Sequence, residues 1–496
     1  MAPLLVALSR TRPPDTLQFT EGIKLLPATP LQGFVMGYAC GVIWYAGSCY
    51  WIYSTMKQYG EMSAPAAFGI LILFSLYLGL YHGAFGLLIS LLAGKDPFTP
   101  RALLLSPIVW VAVELARTRI TGFPWDLLGI AQVDNIPLSR FATVTGVYGL
   151  SLEIMIVNAA FAASFLVRRE KRKTLLLAAI FAAIILQAGR IVPAPGFAAD
   201  RIATLLQPNI PVLEGADWTK EYFDTTIQDL MSKSKTAVSS QSISTNSPLI
   251  VWPENPAPFY TNNPAFRDSL AQLARETHAW ILAGSIGIRN ANQITSRPTQ
   301  LYNSATLVDP AGDFVSRYDK VHLVPFGEYV PFKDFFSFAG GLTKEVGDFS
   351  QGKSRDPLDA GGSKLGVFIC YESIFPDEIR QLAANGAQVF VNISNDGWYG
   401  DSGAYAQHLK QARMRAIENE RWLLRDTNTG VTASIDPYGR VVATVPRKIR
   451  TVLQAPYALS NTTTFYTRHG DYFAYLCAII SVLALLMRLP FLRKAD

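Results

Sequence analysis

The chain has 496 residues and a mass of 54.5 kDa, too long for one ordinary core, so two or more domains are expected. Half the residues are hydrophobic, 17% are charged and mean hydropathy is +0.20, against about 25% charged in a soluble globular chain. This argues for membrane. The 12% aromatics exclude a disordered chain, and 4 Cys in this length exclude a disulfide framework; the net charge of +6 lies beside apolar runs, as a membrane-orientation signal does, so no nucleic-acid partner is expected.

In chain order, residues 1–30 are a polar, Pro-rich segment without a span, and Met1–Pro14 lacks the apolar core of a cleavable signal peptide. A spanning helix needs about 20 mostly apolar residues. Gly33–Thr55, Ala64–Ala93, Ala102–Ala116, Phe141–Val167 and Thr174–Ala188 are the expected spans of a helical membrane domain over residues 31–190. A sixth, Tyr472–Met487, forms a C-terminal helix over residues 471–488. The densest basic cluster, residues 168–173, should be cytoplasmic, which delivers residues 190–470 to the outer face. Arg117, Arg119 and Arg140 then fall outside, against the rule. Glu114 and Glu153, costly in lipid, should face the protein interior or the outer interface.

From 200 to 460 the pattern changes to short β-branched runs alternating with polar helical stretches. Ile202–Gln207, Pro248–Trp252, Trp280–Ser285, Ser304–Asp309, Phe314–Tyr318, Leu365–Cys370 and Val389–Ser394 read as strands, most of them buried on both faces. Asn263–His278, Phe375–Asn385 and Ala404–Glu420 have helical spacing, and Ser234–Ser247 reads as a surface loop. Asp309–Gly312 and Asp436–Gly439 are turns by their chemistry. The expected domain is a layered α/β structure with helices outside a mixed sheet.

Three residues recur at strand ends: Glu254 after Leu249–Trp252, Lys320 after Phe314–Tyr318, and Cys370 after the run from Leu365. Ligand sites in open α/β sheets gather at the carboxyl ends of strands. A thiol at such a strand-to-helix turn lies near helix amides that favour thiolate. Lys320 would supply charge for a developing oxyanion, and Glu254 would accept the thiol proton. Singly, each has an ordinary reading: a solvated Glu or Lys, an inert core thiol. Together they point to nucleophilic acyl transfer. The remaining cysteines, Cys40, Cys49 and Cys477, lie in apolar spans as small buried hydrophobes, and no His/Cys/Asp spacing suggests a metal site.

The stretches Trp252-Pro-Glu254, Tyr318-Asp-Lys320-Val-His-Leu-Val-Pro-Phe-Gly-Glu328 and Phe368-Ile-Cys370-Tyr371-Glu372 resemble the nitrilase, or carbon–nitrogen hydrolase, superfamily. With spans on both sides, the chain is similar to the apolipoprotein N-acyltransferase family. Val391–Gly400, Gln407-His408, Arg413–Glu418, Arg425–Gly430 and Thr121–Trp125 extend the likeness. Members usually begin with two more spans than are read here, and Asp426 stands where a small residue is expected.

The resemblance implies a nitrilase-like αββα sandwich beside a multi-span α-helical domain, in a bacterial inner membrane, with the sandwich on the periplasmic face. It implies a Glu254-Lys320-Cys370 triad without cofactor or metal. The acyl donor is a phospholipid, typically phosphatidylethanolamine. The acceptor is the α-amino group of the diacylglyceryl-cysteine of an apolipoprotein, reached through a thioester. Glu328 would hold Lys320 or be a surface carboxylate; Tyr371 and Glu372 would shape the pocket; Trp218 matches a family tryptophan. Phe335, Phe336 and Phe338 read equally as a lipid-contacting lid or as core aromatics. The rival readings are a membrane-tethered amidase with the same triad, which would release acyl groups to water, and a non-catalytic scaffold.

Overall fold

The computed structural model describes residues 1–10, 26–94, 100–167, 169–193, 196–212, 219–240, 247–289, 299–329 and 349–488. Trp218, Phe335, Phe336 and Phe338 lie outside these. The chain divides into two compact units, Met1–Gln58 with Met62–Pro193 and His469–Asp496, and Tyr59–Glu61 with Ala194–Arg468.

The first unit is helical. Pro30–Ser48 packs along Ala64–Ala93 through glycines on both helices. A Cβ on Gly37 would sit 2.2 Å from the His82 carbonyl oxygen, and one on Gly86 2.1 Å from that of Gly33. Such stripes of small residues let apolar helices approach backbone to backbone. Among the described residues, Ala64–Ala93, Val147–Leu166 and Glu170–Ile191 are long and apolar enough to cross a membrane, and Tyr472–Leu486 is apolar but shorter.

Three expectations shift here. The run Gly33–Thr55 is interrupted, ending one helix at Ser48 and starting another, Trp51–Gln58. The run from Phe141 becomes a short turn of helix, Ala142–Thr145, before Val147–Leu166. Within the polar segment 1–30, Ala2–Ser9 is a helix whose Leu4, Leu5 and Leu8 join the apolar core of this unit. Two of the arginines that opposed the orientation rule are engaged by protein. Arg117 donates to the Trp125 carbonyl at 2.5 Å, and Arg119 pairs with Asp471 at 2.6 Å. Glu114 accepts from the Leu128 amide at 2.8 Å and Glu153 from Gln132 at 3.0 Å, so both carboxylates do face protein groups.

The second unit is built from two six-stranded sheets. The first contains β1 (Arg201–Gln207), β2 (Leu249–Trp252), β3 (Trp280–Arg289), β4 (Gln300–Val308), β5 (Phe314–Asp319) and β12 (Thr451–Tyr457), in the order β12-β1-β2-β3-β4-β5. The second contains β6 (Leu358–Ala360), β7 (Ser363–Ile369), β8 (Val389–Ser394), β9 (Leu423–Thr427), β10 (Ala433–Ile435) and β11 (Val441–Thr444), in the order β11-β10-β9-β8-β7-β6. The strands β1, β2 and β3 run parallel, as do β7, β8 and β9; the flanking pairs are antiparallel.

Strand alternation assigns each residue to a layer. Leu249 and Val251 of β2 meet Val367, Ile369, Val391 and Ile393 of the other sheet in a shared core. Ile250 and Trp252 turn outward beneath the helices Lys220–Ser239 and Pro264–Thr277, against Leu230, Phe266 and Leu270. Phe368 and Phe390 likewise meet Ile379, Leu382, Ala412 and Ala416 of the helices Pro376–Ala384 and Ala404–Asn419. The layering is helix, sheet, sheet, helix, as expected. The helix Lys220–Ser239 overturns the surface-loop reading for residues 234–239. Ser234 is fully buried there and accepts from Trp252 Nε1 at 3.1 Å.

Candidate active site

Glu254 and Lys320 emerge from the first sheet, after β2 and β5, and Cys370 from the second, directly after β7. The path of Glu254 depends on Gly284 of β3. A Cβ there would lie 2.1 Å from the Pro253 carbonyl oxygen and 2.9 Å from Glu254 Cα. Glycine is what lets β3 pass this close.

Lys320 is 1% exposed and stands between two carboxylates: Nζ is 2.9 Å from Glu328 Oε1 and 3.4 Å from Glu254 Oε1. Glu328 is thus buried beside Lys320, which removes the surface-carboxylate reading. Its Oε2 accepts from the Val324 amide at 2.8 Å, closing the loop that carries it. Glu254 Oε2 accepts from the Asn395 amide at 2.8 Å, a bond from the first sheet to the turn after β8 in the second. Burial opposes the Lys320 charge, but Glu328 and Glu254 outweigh it and hold the ammonium above its ordinary range.

Cys370 has φ +49, a left-handed conformation uncommon for a residue with a side chain. It opens a five-residue 3₁₀ turn, Cys370–Ile374, with the next α-helix starting only at Pro376. The expected stabilisation of thiolate by a helix N-terminus is therefore not what the structure provides. Burial and the Glu254 charge push the Cys370 thiol up, with Lys320 opposing. The resting group is a neutral thiol beside a carboxylate and an ammonium, so attack requires a base.

Two side chains support this turn: Glu372, expected from sequence to shape the pocket, and His408, given no role there. Glu372 is a four-way staple: Oε1 accepts from Tyr318 Oη at 2.8 Å and from the amides of Val321 and His322 at 2.7 and 3.1 Å, while Oε2 accepts from the Ile369 amide at 2.7 Å. It ties the segment after Lys320 to the segment before Cys370. Behind the turn, His408 places Nε2 3.0 Å from the Cys370 carbonyl oxygen and Nδ1 3.0 Å from Asp396 Oδ1. Arg425 pairs with Asp396 Oδ2 at 2.8 Å. Against burial, Arg425 and His408 hold the Asp396 carboxyl well below its usual range. Tyr371 is buried and sets its ring edge-on to Phe375 at 5.3 Å. His322 stacks on Phe375 at 3.6 Å and pairs with Glu378 at 3.0 Å. Asn303, absent from the sequence reading, donates to both Glu254 and Glu328. No local motif marks it, because its partners come from other segments.

The αββα sandwich is the fold of a carbon–nitrogen hydrolase, and that family matches residues 203–466. The apolipoprotein N-acyltransferase N-terminal domain matches residues 24–160. The apolipoprotein N-acyltransferase of Geobacter metallireducens is 34% identical over 94% of this chain and 88% of its own length. Those of Methylococcus capsulatus and Nitrosomonas europaea are each 33% identical, over 91% and 92% of this chain and 87% and 88% of theirs. The chain belongs to the apolipoprotein N-acyltransferase family. Among solved structures, the nitrilase-superfamily protein Nit3 of Saccharomyces cerevisiae aligns with 54% of this chain and 92% of its own, at 19% identity and TM-score 0.39.

Proposed function

We propose that this protein transfers a fatty acyl chain from a membrane phospholipid, typically phosphatidylethanolamine, to the α-amino group of the diacylglyceryl-cysteine of apolipoproteins, through a thioester on Cys370. The observation that carries this reading is Lys320, buried between Glu254 and Glu328 and acting electrostatically on the Cys370 thiol. Glu254 takes the thiol proton as sulfur attacks the ester carbonyl, and Lys320 faces the developing oxyanion. Glu254 gives that proton to the ester oxygen as the C–O bond breaks and the lysophospholipid leaves; the carboxylate then takes a proton from the incoming amine, N–C forms as C–S breaks, and the proton returns to sulfur. Amines attack thioesters readily, so the residues account for both stages without metal or ATP.

Family membership and the apolar helices of the first unit support a membrane setting. The basic cluster at 168–173 supports placing the catalytic unit on the periplasmic face of a bacterial inner membrane. Incubating purified protein with phospholipid and measuring intact mass should show an acyl adduct on wild type and none on Cys370→Ala. Adding a diacylglyceryl-peptide should discharge the adduct as N-acyl peptide. An adduct persisting in Cys370→Ala would refute the nucleophile; discharge to free fatty acid alone would favour an amidase.

A further inference from the structure

Cys370 holds φ +49, a region crowded for a residue with a Cβ, and such a conformation persists only where its surroundings impose it. The direction of a Cα–Cβ bond follows from the two peptide planes that flank it. On the strand side, Glu372 Oε2 holds the Ile369 amide at 2.7 Å. On the other side, the carbonyl oxygen of the Cys370–Tyr371 peptide meets His408 Nε2 at 3.0 Å. His408 reaches it from the outer helical layer. It shares one face of the helix Ala404–Asn419 with Ala412 and Ala416, at i, i+4 and i+8, and all three are fully buried. The two alanines seat that face against Phe368 and Phe390, which brings the imidazole under the turn.

The partners fix which ring nitrogen carries hydrogen. A backbone carbonyl oxygen only accepts, so Nε2 donates. Nδ1 lies 3.0 Å from Asp396 Oδ1 and 3.1 Å from Arg425 Nη2, and it donates to the first or accepts from the second. In both cases Nε2 keeps its hydrogen, so the bond to Cys370 is the same for a neutral and a charged ring. Asp396 is itself held, by Arg425 at 2.8 Å and by the Ser394 hydroxyl at 2.8 Å.

We infer that His408 is a positioning residue for the nucleophile: by donating to the Cys370 carbonyl it locks the Cys370–Tyr371 peptide plane and so aims Sγ at the acyl carbon. This inference rests on the acyl-transfer reading above. Sulfur must meet the ester carbon while the ester oxygen faces Lys320, and a Cys370 free to leave the left-handed region would swing Sγ off that line. Asp396 and Arg425 act one step further back, by orienting the ring.

Two amides separate the two ends of the ring. His408→Gln can place an NH₂ group where Nε2 stands and keep the bond to Cys370. His408→Asn is shorter, and its amide reaches only the Nδ1 side, toward Asp396 and Arg425. Single-turnover acylation of the full-length protein, followed by intact mass over a range of phosphatidylethanolamine concentrations, compares them. His408→Gln should keep the maximal rate within about fivefold of wild type, and His408→Asn should lower it by roughly 10–100-fold, the scale of a misplaced reacting group. The half-saturating lipid concentration should not move, because the loss falls on the reacting geometry and not on lipid binding. Alkylation of Cys370 by iodoacetamide needs no alignment with a bound ester and should stay within about threefold of wild type in both. Equal rates for the two variants, a loss carried by the half-saturating concentration, or a loss shared by alkylation would each make His408 a structural member of the Asp396 network and overturn the proposal. Should the asparagine variant not fold, His408→Met, which keeps the length and lacks the donor, takes its place, and a folded methionine variant with the wild-type rate also overturns it. Failure of the underlying reading looks different: no adduct on wild type, or an adduct on Cys370→Ala.

Discussion

The Nζ of Lys320 lies 2.9 Å from Oε1 of Glu328, an ion pair with both side chains buried. Glu254 is the more distant carboxylate at 3.4 Å, and its other oxygen is turned to the Asn395 amide of the opposite sheet. In the proposed mechanism the two glutamates therefore differ in role: Glu328 anchors the lysine and Glu254 exchanges the proton. Glu254→Gln should slow thioester formation by roughly 10²–10⁴-fold, the scale of general-base loss. Glu328→Gln keeps a hydrogen-bond acceptor near Lys320 and should slow the reaction while still forming thioester. Single-turnover acylation compares them, and the opposite ranking would reassign the base.

The neutral state of Cys370 makes its chemistry pH-dependent in a definite direction. Since burial and the Glu254 charge raise the thiol, alkylation by iodoacetamide should be slow at neutral pH and accelerate only beyond the ordinary thiol value of about 8.5. Lys320→Met removes a positive charge that opposes that shift and should slow alkylation further. Intact mass, with Cys40, Cys49 and Cys477 replaced by alanine, gives the rate. A faster thiol in Lys320→Met would contradict the electrostatic assignment.

Asp426, on β9, is fully buried, and among the described residues neither carboxylate oxygen has a hydrogen-bond partner. Burial drives its carboxyl well upward; the amides of Leu206 and Thr427 offset this in part without completing a hydrogen bond. The folded protein thus keeps a proton that the unfolded chain releases above about pH 3.9. Stability should fall as pH rises past that value, by about 1.4 kcal/mol per unit, until the folded carboxyl itself ionises. Asp426→Asn should raise the thermal midpoint at pH 7 and lose that advantage toward pH 4. A variant less stable at pH 7 would point to an unseen partner for the carboxylate.

Orientation can be tested independently of chemistry. A reporter fused after Lys173 should read cytoplasmic and one fused near Ser350 should read periplasmic. The same readout from both would mean that the expected number of spans between them is wrong.

The layered sandwich was largely legible because its central strands are continuous apolar runs bounded by turns, as in Leu249–Trp252 and Val389–Ser394. Asp436–Gly439 is the turn its chemistry predicts, with the Gly439 amide bonded to the Asp436 carbonyl at 2.8 Å and φ +75 at the glycine. The end of Lys220–Ser239 was misread because its Ser and Thr content suggests a loop. Helix there is secured by contacts distant in sequence, including Ser234 with Trp252 and the Ala237 carbonyl with Gln454 at 2.9 Å. Strand β12 was likewise missed, because it pairs with β1 about as far away in sequence as the unit allows.

By itself, the sequence determined which residues to propose for the chemistry, since Glu254, Lys320 and Cys370 each follow an apolar strand within short matching stretches. It also determined that apolar helices flank a polar α/β block, because hydropathy is a property of contiguous residues. Tertiary structure decided how the site works. The charge of Lys320 depends on carboxylates 66 and 8 residues away, and the neutrality of Cys370 depends on burial between sheets. Asn303, His408 and Arg425 acquire their roles only where distant segments meet, because hydrogen bonds and Coulomb forces act over ångströms of space irrespective of separation along the chain.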